Sequence, residues 1–121
     1  MSLTIDSQQH ENDVVVIAVS GEITFENSDQ FRDKIDQMCE QGHYRIIIDL
    51  AGLQYMSSAG MGVLVHGLKK ARAKDGDLRL INLSEKMRRV FLITQFTHHF
   101  MVLPNLEEAI KSFASTDESS R

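Results

Sequence analysis

Two β-branched runs with a helix-periodic segment between them constrain this chain more than anything else in it. The first, VVVIAVSGEIT from Val14, is nearly unbroken in Val and Ile, and the second, YRIIIDL from Tyr44, is shorter and richer in isoleucine. The first reads as an inner strand covered on at least one face, the second as a strand buried on both. Between them, NSDQFRDKIDQMCEQG places Phe31, Ile35 and Met38 at i, i+4 and i+7, with Asn27 or Ser28 able to cap the start and Gly42 to end it. Strand, helix, strand implies a crossover connection, and hence a largely parallel or mixed sheet with helices packed against it.

The alternation continues in both directions. Upstream, Leu3 and Ile5 pair with the first long strand as an edge hairpin through HEND. Downstream, Met61, Leu64, Val65 and Leu68 form the stripe of a helix that runs to about Lys74 and is broken by DGD. LRLINL is another strand. A third helix follows with Met87, Val90, Phe91 and Thr94 on one face, and Asn82 with Glu85 fits a capping box. After the apolar FMVL and Pro104 comes a last helix, boxed by Asn105 and Glu108 and striped by Leu106, Ala109, Ile110 and Phe113. The expected fold is therefore α/β: one domain over residues 1–115, a small mixed β-sheet of four to five strands packed with about four α-helices, and a frayed polar tail over 116–121. No internal repeat or linker interrupts it.

Composition fits one core, since 121 residues with 42% hydrophobic and 25% charged side chains bury about two thirds of their unfolded surface without disulfides or metal. Cys39 is the single cysteine, and a lone thiol suits a reducing compartment. Met1 to Asp6 lacks the basic flank and apolar stretch of a signal peptide, and the longest apolar run, Val14 to Val19, is too short to cross a bilayer. A cytoplasmic location without membrane insertion is the expectation. Thirteen Lys and Arg against seventeen Asp and Glu give a net charge of -4, which argues against nucleic acid as a partner. The densest basic stretch, Lys69, Lys70, Arg72 and Lys74, reads as the solvent side of a helix.

Catalytic and metal-binding patterns are thin. His98 and His99 are adjacent and make a poor chelate, while His10, His43 and His66 have no Cys or carboxylate at ligand spacing. Asp49, at a strand end, has no nucleophile and base beside it at motif spacing. No glycine loop ends in Gly-Lys-Ser. No metal, cofactor or catalytic residue is expected, and a small acidic domain of this kind reads as a binding module rather than an enzyme.

One short segment stands out. YMSSAGMG, residues 55–62, leaves the strand expected to end at Leu50 and opens the helix stripe that starts at Met61, the strand-end position where α/β folds gather their sites. Ser57 and Ser58 fall at the N-cap and first turn, beside free backbone N–H groups and the positive end of the helix dipole. The small residues have two readings. Serine is an ordinary cap, and Gly60 and Gly62 could serve close packing of the turn against the sheet. Against that, each glycine costs about 1 kcal/mol relative to alanine in a helix. Val63 and Gly67, off the core stripe, would also extend a surface poor in charge, shaped for another macromolecule to approach closely.

In order and spacing, VSGEIT, IIIDLAGLQYMSSAGMGVLV and LRLINLSEKMRRVFLITQF resemble the STAS family of bacterial anti-sigma factor antagonists, over nearly the whole chain from about Leu3 to Phe113. The resemblance implies a single STAS-like domain and a switch. Unphosphorylated, such a domain binds an anti-sigma factor that is also an ATP-dependent serine kinase; phosphorylation by that kinase ends the binding, and a metal-dependent serine phosphatase restores it. Aligned without gaps, the phosphoacceptor falls on Ser58, with Ser57 as the competing acceptor, and the partner-binding face on Gly21, Glu22, Thr24, Met56, Ser57, Ser58, Ala59, Gly60, Met61 and Gly62. The chain departs from the family pattern at three of these positions. Ser57 stands where many members have Asp, Thr24 replaces an acid after Gly21 and Glu22, and Ala59 replaces Ser or Thr. A constitutive adaptor in a signalling scaffold or lipid-transport complex is the alternative on the same fold. A small-ligand or enzymatic domain is the third reading, and it requires a pocket with convergent polar groups.

Overall fold

A computed structural model describes residues 2–95 and 98–119 of the chain. Its elements run β1 (Leu3–Gln9), a 3-10 turn (Glu11–Asp13), β2 (Val14–Ile23), α1 (Ser28–Glu40), β3 (Arg45–Met56), α2 (Ser58–Arg72), β4 (Asp77–Ile81), α3 (Glu85–Ile93), β5 (Val102–Leu103) and α4 (Leu106–Ser119). The five strands lie in the order β1-β2-β3-β4-β5. β1 is antiparallel to β2, as a hairpin requires, and the β2–β3, β3–β4 and β4–β5 pairs are parallel across helical crossovers. α4 extends to Ser119, into the segment the sequence assigned to a tail.

Both faces of the sheet are covered, and the Ile46–Ile48 run shows how. Ile46 and Ile48 point into the larger core with Val15, Ile17, Phe31, Ile35, Leu64 and Leu78, whereas Ile47 points the other way, into a smaller core with Val14, Val16, Ile81, Ala109 and Phe113. The smaller core is fastened by Arg79, almost fully buried. Its Nε donates to the Asp77 carboxylate at 2.9 Å, its Nη1 donates to the Ser112 hydroxyl at 2.7 Å, and its guanidinium lies 4.0 Å from the Phe113 ring centroid.

Helix ends follow local chemistry. α1 stops in a Schellman motif: Gly42 takes φ +91°, its N–H donates to the Cys39 carbonyl, and the His43 N–H reaches back to that of Met38, both at 2.9 Å. α4 begins as expected, with the Asn105 side chain accepting from the Glu108 N–H. α3 begins differently. Its cap is Ser84, which accepts from the Met87 N–H at 3.1 Å, while Asn82 sits at φ +58° and donates its amide to the Asp49 carboxylate at 3.0 Å. Asn82 is therefore a clamp between strand ends, not a helix cap.

Two further differences from the sequence reading shape the site. β3 does not end at Leu50 but continues to Met56 alongside β2, past Ala51 and Gly52, with register shifts between Ala18 and Ser20 and between Gly21 and Glu22. Gly52 is needed there because a Cβ would collide with the Ser20 side chain. The inward face of α2 is also rotated from the expected stripe. Gly60, Val63, Leu64, Gly67, Leu68 and Ala71 are buried, while Met61 and Val65 are half-buried. Val63 and Gly67 therefore belong to the core rather than to an extended surface.

Candidate functional site

The parallel β2 and β3 strands end side by side, with Glu22 opposite Tyr55 and Ile23 opposite Met56. One hydrogen bond, Ser57 N–H to the Ile23 carbonyl at 2.8 Å, ties the start of α2 to the end of β2. The loop from Thr24 to Asn27 is locked reciprocally: the Thr24 N–H donates to Asn27 Oδ1 at 2.8 Å and the Asn27 N–H to Thr24 Oγ1 at 3.3 Å. The Asn27 amide also donates to the Glu22 carbonyl at 3.0 Å. Thr24, where an acid was expected, thus spends its hydroxyl on holding this loop. Gly21 adopts φ +97°, and a Cβ there would collide with the carbonyl oxygen of Ser2, the residue just before β1, so its side-chain-free geometry is required there.

The two serines are separated by their surroundings. Ser57 is the N-cap of α2; its Oγ accepts from the Gly60 N–H at 3.3 Å, and the residue is half-buried. Ser58 is the first helical residue and exposed, and among the described residues no hydrogen bond engages its hydroxyl. No acidic residue lies in the first turn of α2, so the helix itself supplies no carboxylate to offset its positive end.

The glycines divide in the same way. A Cβ on Gly60 would stand 2.6 Å from Met56 Cγ and 2.8 Å from Ile23 Cγ2, which makes its smallness a packing requirement. Met56 itself is 6% exposed. Met56 and Gly60 therefore support the site from below. A Cβ on Gly62 would meet nothing within 4 Å. Ala59 and Met61 are half-exposed on either side of it.

Gly62 opens onto a groove between α1 and α2, of about 440 Å³, lined by Phe25, Arg32, Ala59, Gly62, Val63 and His66 among others. Phe25 stands 82% exposed at its edge, and Tyr55, on the β3 end, is 47% exposed. Sequence periodicity missed Phe25. Its signal was an aromatic lying on no stripe, in the turn TFEN between a strand end and a helix cap. At the far end of the groove Asp36 Oδ1 accepts from His66 Nε2 at 2.7 Å and from Lys70 Nζ at 2.8 Å. Burial pushes the Asp36 carboxyl up, and the hydrogen bonds from Lys70 and His66 outweigh it, holding the group below the ordinary carboxylate value. His66 thus does have a carboxylate partner, supplied across the helix pair, where sequence spacing could not show it. Among the described residues no group of three or more His, Cys, Asp or Glu side chains is placed to hold a metal ion, and no helix is long and apolar enough to cross a membrane.

The STAS domain model matches residues 4–109. The chain belongs to the STAS-domain family. The anti-sigma-B factor antagonist of Bacillus subtilis is 38% identical over 94 residues, covering 78% of this chain and 84% of that protein. The anti-sigma factor antagonist SpoIIAA in its unphosphorylated form superposes with a TM-score of 0.72 at 27% identity, covering 93% of this chain and 98% of that one. The Bacillus cell fate determinant SpoIIAA in its phosphorylated form gives 0.70 at 29%, covering 90% and 98%. This STAS fold is thus matched by a relative solved in both phosphorylation states, and the mixed five-stranded sheet and four helices agree with the architecture expected from the sequence.

Proposed function

We propose that this STAS domain is an anti-sigma factor antagonist whose binding is switched off by phosphorylation of Ser58. The observation that carries the reading is the division of labour between the serines. Ser57 is consumed as the helix cap, and Ser58 presents an unengaged hydroxyl on an exposed first turn. The likeness to SpoIIAA, solved in both forms, and to named anti-sigma-B factor antagonists supports it. The partners are an anti-sigma factor acting as an ATP-dependent serine kinase and a metal-dependent serine phosphatase. The domain itself is a substrate and binding module in the cytoplasm, not an enzyme.

The physics allows a switch that leaves the fold intact. A phosphate on Ser58 adds about two negative charges at pH 7, at the end of α2 where negative charge is favoured. The loss falls on the interface, where a dianion has to be desolvated against a partner surface fitted to a bare hydroxyl, Ala59 and Gly62. Phe25, Thr24 and Glu22 flank that surface, and the phosphate would stand among them.

The test is to incubate the domain with its kinase partner and ATP and follow both intact mass and complex lifetime. Wild type gains one phosphate and dissociates; Ser58→Ala stays unmodified and bound. A phosphate mapped to Ser57 moves the acceptor by one residue. Protein from native cells that carries no phosphate under any growth condition would transfer the role to a constitutive adaptor.

A further inference from the structure

The C-terminal half of α2 borders a second concavity, an open trough of about 910 Å³ between that helix and the segment that follows α3. Its apolar floor comes from Val65 and Leu68, half-buried and buried, and its walls carry Lys69 and Arg72 on one side and His98 and His99 on the other. Among the described residues no acidic side chain lines it, although the chain as a whole carries a net charge of -4. Arg72 is held in place: its Nε donates to the Asp77 carboxylate at 3.0 Å and its Nη2 donates to the His99 carbonyl at 3.2 Å, which joins the two walls. Among the described residues no carboxylate pairs with Lys69, an exposed side chain. Lys69 and Arg72, half of the basic stretch that reads in sequence as an ordinary solvated face, and the adjacent histidines that point to no chelate thus meet at one apolar trough.

We infer that this trough binds a small anionic amphiphile: an apolar body along Val65 and Leu68, with an acid group between Lys69 and the two histidines. Charge complementarity selects the occupant. A neutral hydrophobe gains only the floor, and a soluble anion gains only the walls, where exposed cations contribute little on their own. A ligand that is both uses the burial of its tail and the focused positive field together. The volume falls within the range of small-molecule sites. From Ser58 to Lys69 the distance along α2 is about 16 Å at about 1.5 Å per residue, so the trough is separate from the phosphorylatable end and the inference does not rest on it. An occupant would lie on the same helix that presents Ser58, and both sites could be filled at once.

The experiment is an NMR titration of the isotope-labelled full chain with sodium dodecanoate below its micelle concentration, with dodecanol as the uncharged control. Expected are saturable shifts at Val65, Leu68, His98 and His99, binding of dodecanoate about tenfold tighter than dodecanol, and about tenfold weakening in the double variant Lys69→Glu, Ala73→Asp. Both changes are at exposed positions, and an unchanged melting temperature of the apo variant confirms its fold. Ser58→Ala should bind dodecanoate like wild type. Equal affinity for the acid and the alcohol, undiminished binding by the folded double variant, or unsaturable shifts centred on the exposed Leu92 and Ile93 would each overturn the proposal.

Discussion

The first turn of α2 and its middle are built from the same small residues, and those residues do opposite things. Gly62 faces open space, whereas Gly67, little more than a turn later, is wedged so that a Cβ would lie 2.7 Å from Leu78 Cδ1 and 3.1 and 3.2 Å from the Ile35 methyl carbons. At Gly67 smallness lets α2 approach both α1 and β4; at Gly62 it leaves the helix surface open, as the proposed interface requires. A small-residue segment is therefore not a site as such. What decides its role is what an added carbon would touch.

The largest effect should come from filling the packed member of the pair. Gly67→Val forces the branched side chain against Ile35 and Leu78, and overpacking of this kind costs about 3 kcal/mol, read as a drop in urea midpoint at unchanged slope. A variant as stable as wild type would erase the distinction between the two glycines. Ser58→Asp sharpens it from the other side. The charge sits at a favourable helix end, so stability should stay within about 1 kcal/mol of wild type, while affinity for the anti-sigma partner falls about a hundredfold or more. Next in size is Phe25→Ala. An aromatic that is 82% exposed contributes little to the fold, and its removal should weaken partner binding about tenfold with the melting temperature unmoved. A loss of stability instead would make Phe25 a core residue of the loop and remove it from the interface.

How far the sequence foretold this follows from the same contrast. Strand and helix order was legible because Val14–Val19, Ile46–Ile48 and the Phe31–Ile35–Met38 stripe are large apolar side chains whose burial dominates the local pattern. The inward face of α2 was not, because a hydrophobic stripe is counted by bulk. Met61 and Val65 outweighed Gly60, Gly67 and Ala71, which face the core by virtue of the helices being close. The end of β3 was missed for a related reason. Ala51 and Gly52 resemble a turn, yet the register shifts against β2 bury both Leu53 and Met56, three residues apart, in a strand whose ideal period is two. The serine pair was readable as a cap and first turn, but only coordinates could show which hydroxyl is spent on Gly60. Phe25 and the Asp36–His66–Lys70 cluster depend on contacts between elements far apart in sequence, and no spacing rule reaches them.

A smaller and opposite change is expected at the open glycine. Gly62→Ala adds a methyl group into empty space within a helix, so stability should rise by about 0.5–1 kcal/mol. The cost, if the surface is an interface, appears only in complex: affinity for the partner should fall while the free domain becomes more resistant to urea. A gain in stability with unchanged affinity would place the partner elsewhere on α2.

The smallest effect lies at the groove's far end and depends on pH. The Asp36 carboxyl is held below its ordinary value, against the effect of burial, by hydrogen bonds from Lys70 and His66. A carboxyl whose folded pKa is depressed contributes its stability above the unfolded value, about pH 4, and loses it as pH falls through the lowered folded pKa. Wild type should therefore exceed Asp36→Asn in melting temperature near neutrality, and the gap should narrow on acidification below about pH 4. The contact joins α1 to α2 at that end of the groove, so the same variant reports whether that helix pair must be braced for binding. If Asp36→Asn keeps full partner affinity at pH 7 while losing the acid-side slope, the bracing serves the fold alone, and the interface ends between Gly62 and His66.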